Sequence, residues 1–276
     1  MVCGASGERC EAVESGRGMN ELALFAGAGG GILGGKLLGW RTVCAVERDS
    51  YAASVLVARQ NDGILAPFPI WDDVRTFDGK PWRGCVDVVS GGFPCQDISS
   101  AGKGAGIEGA KSGLWKEMAR IVGEVRPRYV LVENSPMLIH RGLAVVLGDL
   151  ASMGYDAHWG VLGADDAGAC HKRKRLWLIA ADSYRKSEHA GAVNAEVAGS
   201  SSSLAHSDMR QCEQPNKEVC TGWHSASNGG WWSSEPDVGR MADGVASRVD
   251  RLRAIGNGQV PAVVQLAWKL IGPPPL

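Results

Sequence analysis

Residues 22–35 read LALFAGAGGGILGG, and this stretch constrains the fold more than any other part of the chain. Glu21 to Phe25 predicts a short buried strand, Gly27 to Gly31 a glycine turn, and Ile32 to Leu38 a helix. Gly29-x-Gly31-x-x-Gly34 satisfies the dinucleotide fingerprint. Glycines let the backbone pass close to a ligand, and the following helix N-terminus offers free N–H groups. Thr42 to Val46 predicts a second strand, with Glu47 at its end. An acid at that position can accept both ribose hydroxyls of a nucleoside cofactor. A plain tight turn before a helix is the alternative. The pattern does not separate NAD from S-adenosylmethionine.

The remainder alternates in the same way. Asp49 to Gln60, Leu114 to Val125 and Leu143 to Met153 carry helical periodicity. Val86 to Ser90, Tyr129 to Val132, Tyr155 to Leu162 and Arg175 to Ala181 predict strands. The expected architecture is α/β, a mostly parallel sheet with helices on both faces. The pattern breaks at Asp182. Ser183 to Val238 is rich in Ser, Asn, His, Gly and Trp, with SSSS at 200–203. Periodicity returns at Arg248, and Pro261 to Ile271 predicts an amphipathic helix begun at proline.

Composition narrows the partners. The 276 residues carry a formal net charge of −1, so a nucleic acid must be held by local clusters. The eight cysteines include no CxxC pair. Cys212, Cys220, His206 and His224 have no zinc-site spacing, and no metal is expected. The first 18 residues lack the apolar core of a secretory signal, and no apolar run is long enough to span a bilayer. A cytoplasmic protein with reduced thiols and no membrane partner is expected, with Met19 a candidate start.

Four further segments carry chemistry. DVVSGGFPCQDISSAGKGAGIEG, residues 87–109, runs a buried strand into Phe93-Pro94-Cys95-Gln96 and a glycine-rich loop. Cys95 is placed as an exposed nucleophile, and Ser99 to Gly109 as a mobile lid. A lone cysteine is otherwise a small buried hydrophobe. YVLVENSP, residues 129–136, delivers Glu133 and Asn134 at a strand end, where an acid is by itself merely solvated. HKRKRLW, residues 171–177, sets Arg173 and Arg175 on one face as a strand begins. The plainer reading is a solvated or phosphate-facing run. AIGNGQVP, residues 254–261, turns into the last helix.

In this order the five segments resemble the DNA (cytosine-5)-methyltransferase family, in particular its compact bacterial and phage-type members. The resemblance covers roughly residues 20–180 and 238–271. It implies a Rossmann-like class I S-adenosylmethionine-dependent methyltransferase fold with a small irregular target-recognition domain. The expected boundaries are a disordered extension 1–18 and a catalytic and cofactor-binding domain 19–182. A target-recognition region 183–238 and a C-terminal segment 239–276 returning to the catalytic domain follow.

The resemblance also implies roles. Cys95 adds to C6 of a flipped-out cytosine, Glu133 protonates N3, Arg175 holds O2, and Arg173 buttresses the cysteine loop. For the cofactor, Phe25 stacks on adenine, while Gly27, Gly29 and Gly30 pass the methionine end. Glu47 takes the ribose and Asp73 the adenine amino group. Pro94, Leu114, Asn257 and Gly258 complete the pocket. Gln96, Ser99 and Lys103 contact DNA. Trp223, Trp231 and Trp232 are expected in the core of the recognition region, with DNA contact the alternative. Double-stranded DNA is the implied partner, a cognate restriction endonuclease a candidate one, and a monomer the default. Three positions depart from the family pattern. Ala23 stands where many members have Asp, His171 where Gln is usual (after Cys170 rather than Pro), and Ser135 where Val is usual. A tRNA cytosine-5 methyltransferase and a silent DNA-binding relative are the competing readings. An NAD oxidoreductase explains the glycine turn and leaves Pro-Cys-Gln and Glu-Asn unexplained.

Overall fold

Tyr129–Asn134 is buried at every residue, as a central strand must be when both sheet faces are covered. The computed structural model describes residues 18–94, 114–183 and 248–272. In chain order these form β1 (Asn20–Leu24), α1 (Gly30–Leu37), β2 (Arg41–Val46), α2 (Ser50–Asn61), β3 (Ile70–Trp71) and β4 (Val88–Gly91). Then come α3 (Trp115–Val125), β5 (Tyr129–Asn134), α4 (Leu138–Arg141), α5 (Leu143–Ser152), β6 (Tyr155–Leu162) and β7 (Arg175–Asp182). The last two helices are α6 (Arg248–Asn257) and α7 (Pro261–Ile271). The seven-stranded sheet has the order β3-β2-β1-β4-β5-β7-β6. The pairs from β3 to β5 are parallel, and β7 lies antiparallel to both β5 and β6.

Side-chain alternation along the strands divides the core between the two faces. Leu22, Leu24, Val130 and Val132 pack with Trp115, Met118, Ile121 and Val122 of α3 and with Val146 and Leu150 of α5. On the other face, Leu131 and Ile179 meet Val263 and Val264 of α7. Ala23 and Ala45 meet Ile32 of α1 and Leu56 of α2. The expected α/β sheet with helices on both faces is therefore present. Helix α3 shows why its sequence is helical: its buried residues form one stripe at three- and four-residue spacing. Arg126 ends it in the left-handed region at φ 52, and proline follows. Each fully buried side chain in that stripe contributes about 1.5–3 kcal/mol over its exposed state.

Some boundaries differ from expectation. Helix α1 begins at Gly30 rather than Ile32, because the left-handed turn, with Gly27 at φ 54 and Gly29 at φ 84, is complete by Gly29. Strand β4 starts at Val88 rather than Val86. Asp87 is occupied at the mouth of β1, where its carboxylate accepts from Asn20 N at 2.8 Å. The two-residue β3 and four-residue α4 are too short to show a period in sequence. Residues 1–17 of the expected extension and residues 184–247, which hold nearly all of the expected recognition region, lie outside the described residues. No helix among the described residues is long and apolar enough to cross a membrane.

Candidate active site

The chain leaves β1 toward β2 and β3 on one side and returns beyond β1 as β4 and β5 on the other. The crevice outside the carboxyl ends at such a reversal is where open α/β sheets bind ligands. Phe25 and Gly27 follow β1, Glu47 follows β2, Gly92 to Pro94 follow β4, and Glu133 and Asn134 end β5. Because β7 runs antiparallel, its first residue, Arg175, arrives at the same edge, one step beyond the Asn134–Leu176 pair. The turn between α6 and α7 completes a cleft lined by Phe25, Gly27, Gly31, Glu133, Asn257 and Gly258.

One half of the cleft is the glycine turn. Phe25 is held in the left-handed region at φ 52, uncommon for an aromatic residue and a mark of a constrained site. Gly27 N donates to Glu47 Oε2 at 2.6 Å, and Asp49 N donates to Glu47 Oε1 at 2.7 Å. Glu47 thus joins the turns after β1 and β2. Burial pushes its carboxyl up, against the pull of the backbone N–H groups of Asp49, Gly27 and Arg48. The glycines divide their work. Gly27 and Gly31 line the cleft. Gly29 turns the chain beside Leu56, and a Cβ on Gly30 would stand 2.2 Å from the Gln259 carbonyl oxygen. Gly30 is small for the sake of that turn. Asp73 lies beyond the end of β3 and accepts from Arg75 Nε at 2.9 Å; that guanidinium holds its carboxyl well below the usual range. Leu114 caps α3 and packs, partly buried, against the cluster that contains Phe93.

The other half is built around Glu133. Its carboxyl is buried and takes Arg175 Nε at 3.0 Å on Oε1. Burial pushes it up to about 7, while the charges of Arg175 and Arg173 and a hydrogen bond from Gln259 pull the other way. Near neutral pH it therefore exists in both protonation states and can hand a proton to a neighbour. Asn134 Nδ2 donates to Phe93 O at 3.0 Å, fixing the start of the Pro-Cys-Gln loop against β5. Arg173, at φ 31, donates through Nη2 to Gly256 O at 2.7 Å and Gly258 O at 2.5 Å. It braces the Asn257–Gly258 turn. The cysteine loop it was expected to support, with Cys95, Gln96, Ser99 and Lys103, lies outside the described residues.

Two participants were missed in sequence. Gln259 had no motif value of its own, and only its proximity to Glu133 reveals it. Glu21 is buried on the same face of β1 as Ala23. Its carboxyl accepts from Ser90 Oγ at 2.6 Å and Thr42 Oγ1 at 2.8 Å, lacing β4 and β2 to β1. A charged residue inside a strand of the pattern ELALF was the available signal. At the three departures, Ala23 is buried, His171 is exposed, and Ser135 Oγ accepts from Met137 N at 3.3 Å.

The family model for C-5 cytosine-specific DNA methylase matches residues 19–227. The chain belongs to this family. Among relatives, the Type II methyltransferase M.PspPI of Psychrobacter sp. (strain TA137) is 39% identical over 153 residues, covering 53% of this chain and 36% of that protein. M.Eco47II of Escherichia coli is 38% identical over 168 residues, covering 58% and 38%. M.CviJI of Paramecium bursaria Chlorella virus IL3A is 34% identical over 177 residues, covering 63% and 46%. The chain thus spans less than half the length of these three relatives. The crystal structure of a DNA modification methyltransferase encoded within an E. coli prophage superposes with TM-score 0.50 at 25% identity, covering 61% of this chain and 48% of that one.

Proposed function

We propose that the protein methylates C5 of a flipped-out cytosine in duplex DNA, using S-adenosylmethionine as the methyl donor. The observation that carries this reading is Glu133. It is a buried carboxyl poised near pH 7 beside Arg175, at the rim of the cleft that holds Phe25 and the glycine turn. The cleft suits the cofactor: an aromatic ring, a glycine turn and the Asn257–Gly258 backbone line it, and the Glu47 carboxylate anchors the glycine turn. When bound, S-adenosylmethionine supplies an electrophilic methyl group. Phe25 offers a face for the adenine, Glu47 retains lone pairs for the ribose hydroxyls, and Gly27 and Gly31 leave room for the rest.

Cytosine C5 is a poor nucleophile until C6 is attacked. Cys95, two residues past the anchored Phe93, supplies the thiolate in this proposal. Neutral Glu133 gives its proton to N3 as the Cys95 sulfur bonds to C6, and the electron pair of the C5–C6 double bond becomes available at C5. Arg175 stabilises charge on O2 and keeps Glu133 oriented. After C5 is methylated, solvent takes the C5 proton, its electron pair restores the C5–C6 double bond, the Cys95 thiolate departs from C6, and N3 returns its proton to Glu133. The base must leave the helix for these groups to reach it. The type II designation of the relatives makes a cognate restriction endonuclease a candidate partner.

Expression in a bacterial host lacking cytosine methylation, followed by bisulfite sequencing of host DNA, tests the reading. Methylcytosine in one short context is expected from the wild type and none from Cys95→Ser. A soluble wild-type protein that leaves host DNA unmethylated would sink the DNA assignment and make tRNA the next substrate. The cofactor half has its own test. Glu47→Gln is expected to weaken S-adenosylhomocysteine binding about tenfold or more in calorimetry, since an amide replaces an acceptor-only group facing hydroxyls. Undiminished affinity would remove Glu47 from the cofactor site.

A further inference from the structure

Gln259 stands in the turn between α6 and α7, and its side chain passes between two glycines. A Cβ on Gly31 would stand 2.5 Å from its Oε1, and a Cβ on Gly92 would stand 3.2 Å from its Nε2. The two missing side chains leave the gap that this amide fills. The oxygen end lies against the first turn of α1, beside the cofactor cleft. The nitrogen end lies toward Glu133, whose Oε2 would be only 2.7 Å from the same Cβ on Gly92. Gln259 donates a side-chain hydrogen bond to that carboxyl. Arg175 Nε lies 3.0 Å from Oε1, while Oε2 is the oxygen that shares the space beside Gly92 with Gln259 Nε2.

A carboxyl gripped by one donor still rotates about its terminal torsion, which is broad and weakly restrained. Two donors at different oxygens fix its plane. We propose that Gln259 is a positioning residue for Glu133, clamping its carboxyl with Arg175 so that the transferable proton is directed at the target base. The inference rests on the methyltransferase reading above. The charged groups facing Glu133 among the described residues are Arg175 and Arg173, and Gln259 is the neutral donor facing it. Removing that donor withdraws support from the carboxylate form, so Glu133 holds its proton to higher pH. A glutamate in its place adds a like charge and moves the proton further in the same direction.

The test compares the full-length wild type with Gln259→Leu and Gln259→Glu. Three quantities are measured: the pH profile of kcat/KM on duplex DNA, the ¹³C titration of the Glu133 carboxyl (identified by its absence in Glu133→Gln), and S-adenosylhomocysteine binding. In Gln259→Leu both pH midpoints are expected to rise by about one unit. The plateau kcat is expected to fall about tenfold with KM for DNA little changed. Gln259→Glu is expected to shift the midpoints further. If Gln259→Leu does not fold, Gln259→Met, unbranched and of similar length, gives the same comparison. A folded variant with an unmoved Glu133 midpoint would overturn the proposal, as would lost cofactor binding with an unmoved midpoint, which marks a packing role. A wild type that titrates near 7 and methylates nothing would overturn the methyltransferase reading, while the ¹³C midpoints would still decide whether Gln259 holds Glu133.

Discussion

Glu133→Gln is expected to lower kcat by about 10²–10⁴-fold at pH 6.5 while leaving duplex DNA affinity within a few-fold. The amide preserves the shape and can still donate a hydrogen bond, but it has no proton to transfer. The same substitution has an opposite effect on stability, and its pH dependence follows from the carboxyl. Burial raises Glu133 from 4.5 to about 7 in the folded protein. The folded state therefore holds a proton that the unfolded chain has released between those values. The resulting stabilisation is full below pH 4.5 and is lost as the pH rises through about 7. Its size is about 3 kcal/mol. Glutamine is neutral throughout, so Glu133→Gln should match the wild type at pH 4 and exceed it at pH 9 by up to that amount. Paired urea titrations at the two pH values read the difference directly. Equal stability of the two proteins at both values would mean that Glu133 is better solvated than its burial indicates. An equal loss of DNA affinity and turnover would make Glu133 a binding group rather than a proton donor.

The strand-turn-helix at residues 22–35 was legible because local chemistry and tertiary role agree there. Apolar residues, a glycine hinge and a helix follow in the order that the switch point of the sheet requires. The strand ends were legible for the same reason: Glu47, Glu133 and Arg175 each terminate or begin a run whose periodicity is plain. Gln259 was not legible, because its partner Glu133 comes from a strand far earlier in the chain and only the sheet order brings them together. The close approach of Gly30 to Gln259 was not legible for a related reason. A glycine required by another segment of the same chain looks, in sequence, the same as one required by a cofactor. Asp73 shows a further limit: the motif WDDVRTF places the acid beyond a strand end, but its pairing with Arg75 depends on a turn without periodicity.

The position of Gly30 leads to an expected result whose sign opposes helix propensity. Gly30 is the first residue of α1, and alanine is ordinarily the better helix former by about 1 kcal/mol. Here the added Cβ would stand 2.2 Å from the Gln259 carbonyl oxygen and 3.1 Å from Gln259 N and C, all backbone atoms. No rotamer change relieves a backbone clash, so α1 and the 256–259 turn must separate. Overpacking of this kind costs about 1–3 kcal/mol. Gly30→Ala is therefore expected to lower stability by about 2 kcal/mol in urea unfolding. It is also expected to reduce the stabilisation that S-adenosylhomocysteine confers, because Asn257 and Gly258 line the same cleft as Gly27 and Gly31. Gly148 supplies the comparison. It lies inside α5, is exposed, and a Cβ there meets nothing within 4 Å. Gly148→Ala should follow propensity and raise stability by up to about 1 kcal/mol, with ligand binding unchanged. If both alanines stabilise the protein, the α1–Gln259 contact is looser than its geometry indicates, and Gly30 returns to the cofactor. If Gly30→Ala alone destabilises and loses ligand binding, the close seating of α1 on the Gln259 turn is what holds the two halves of the cleft in register.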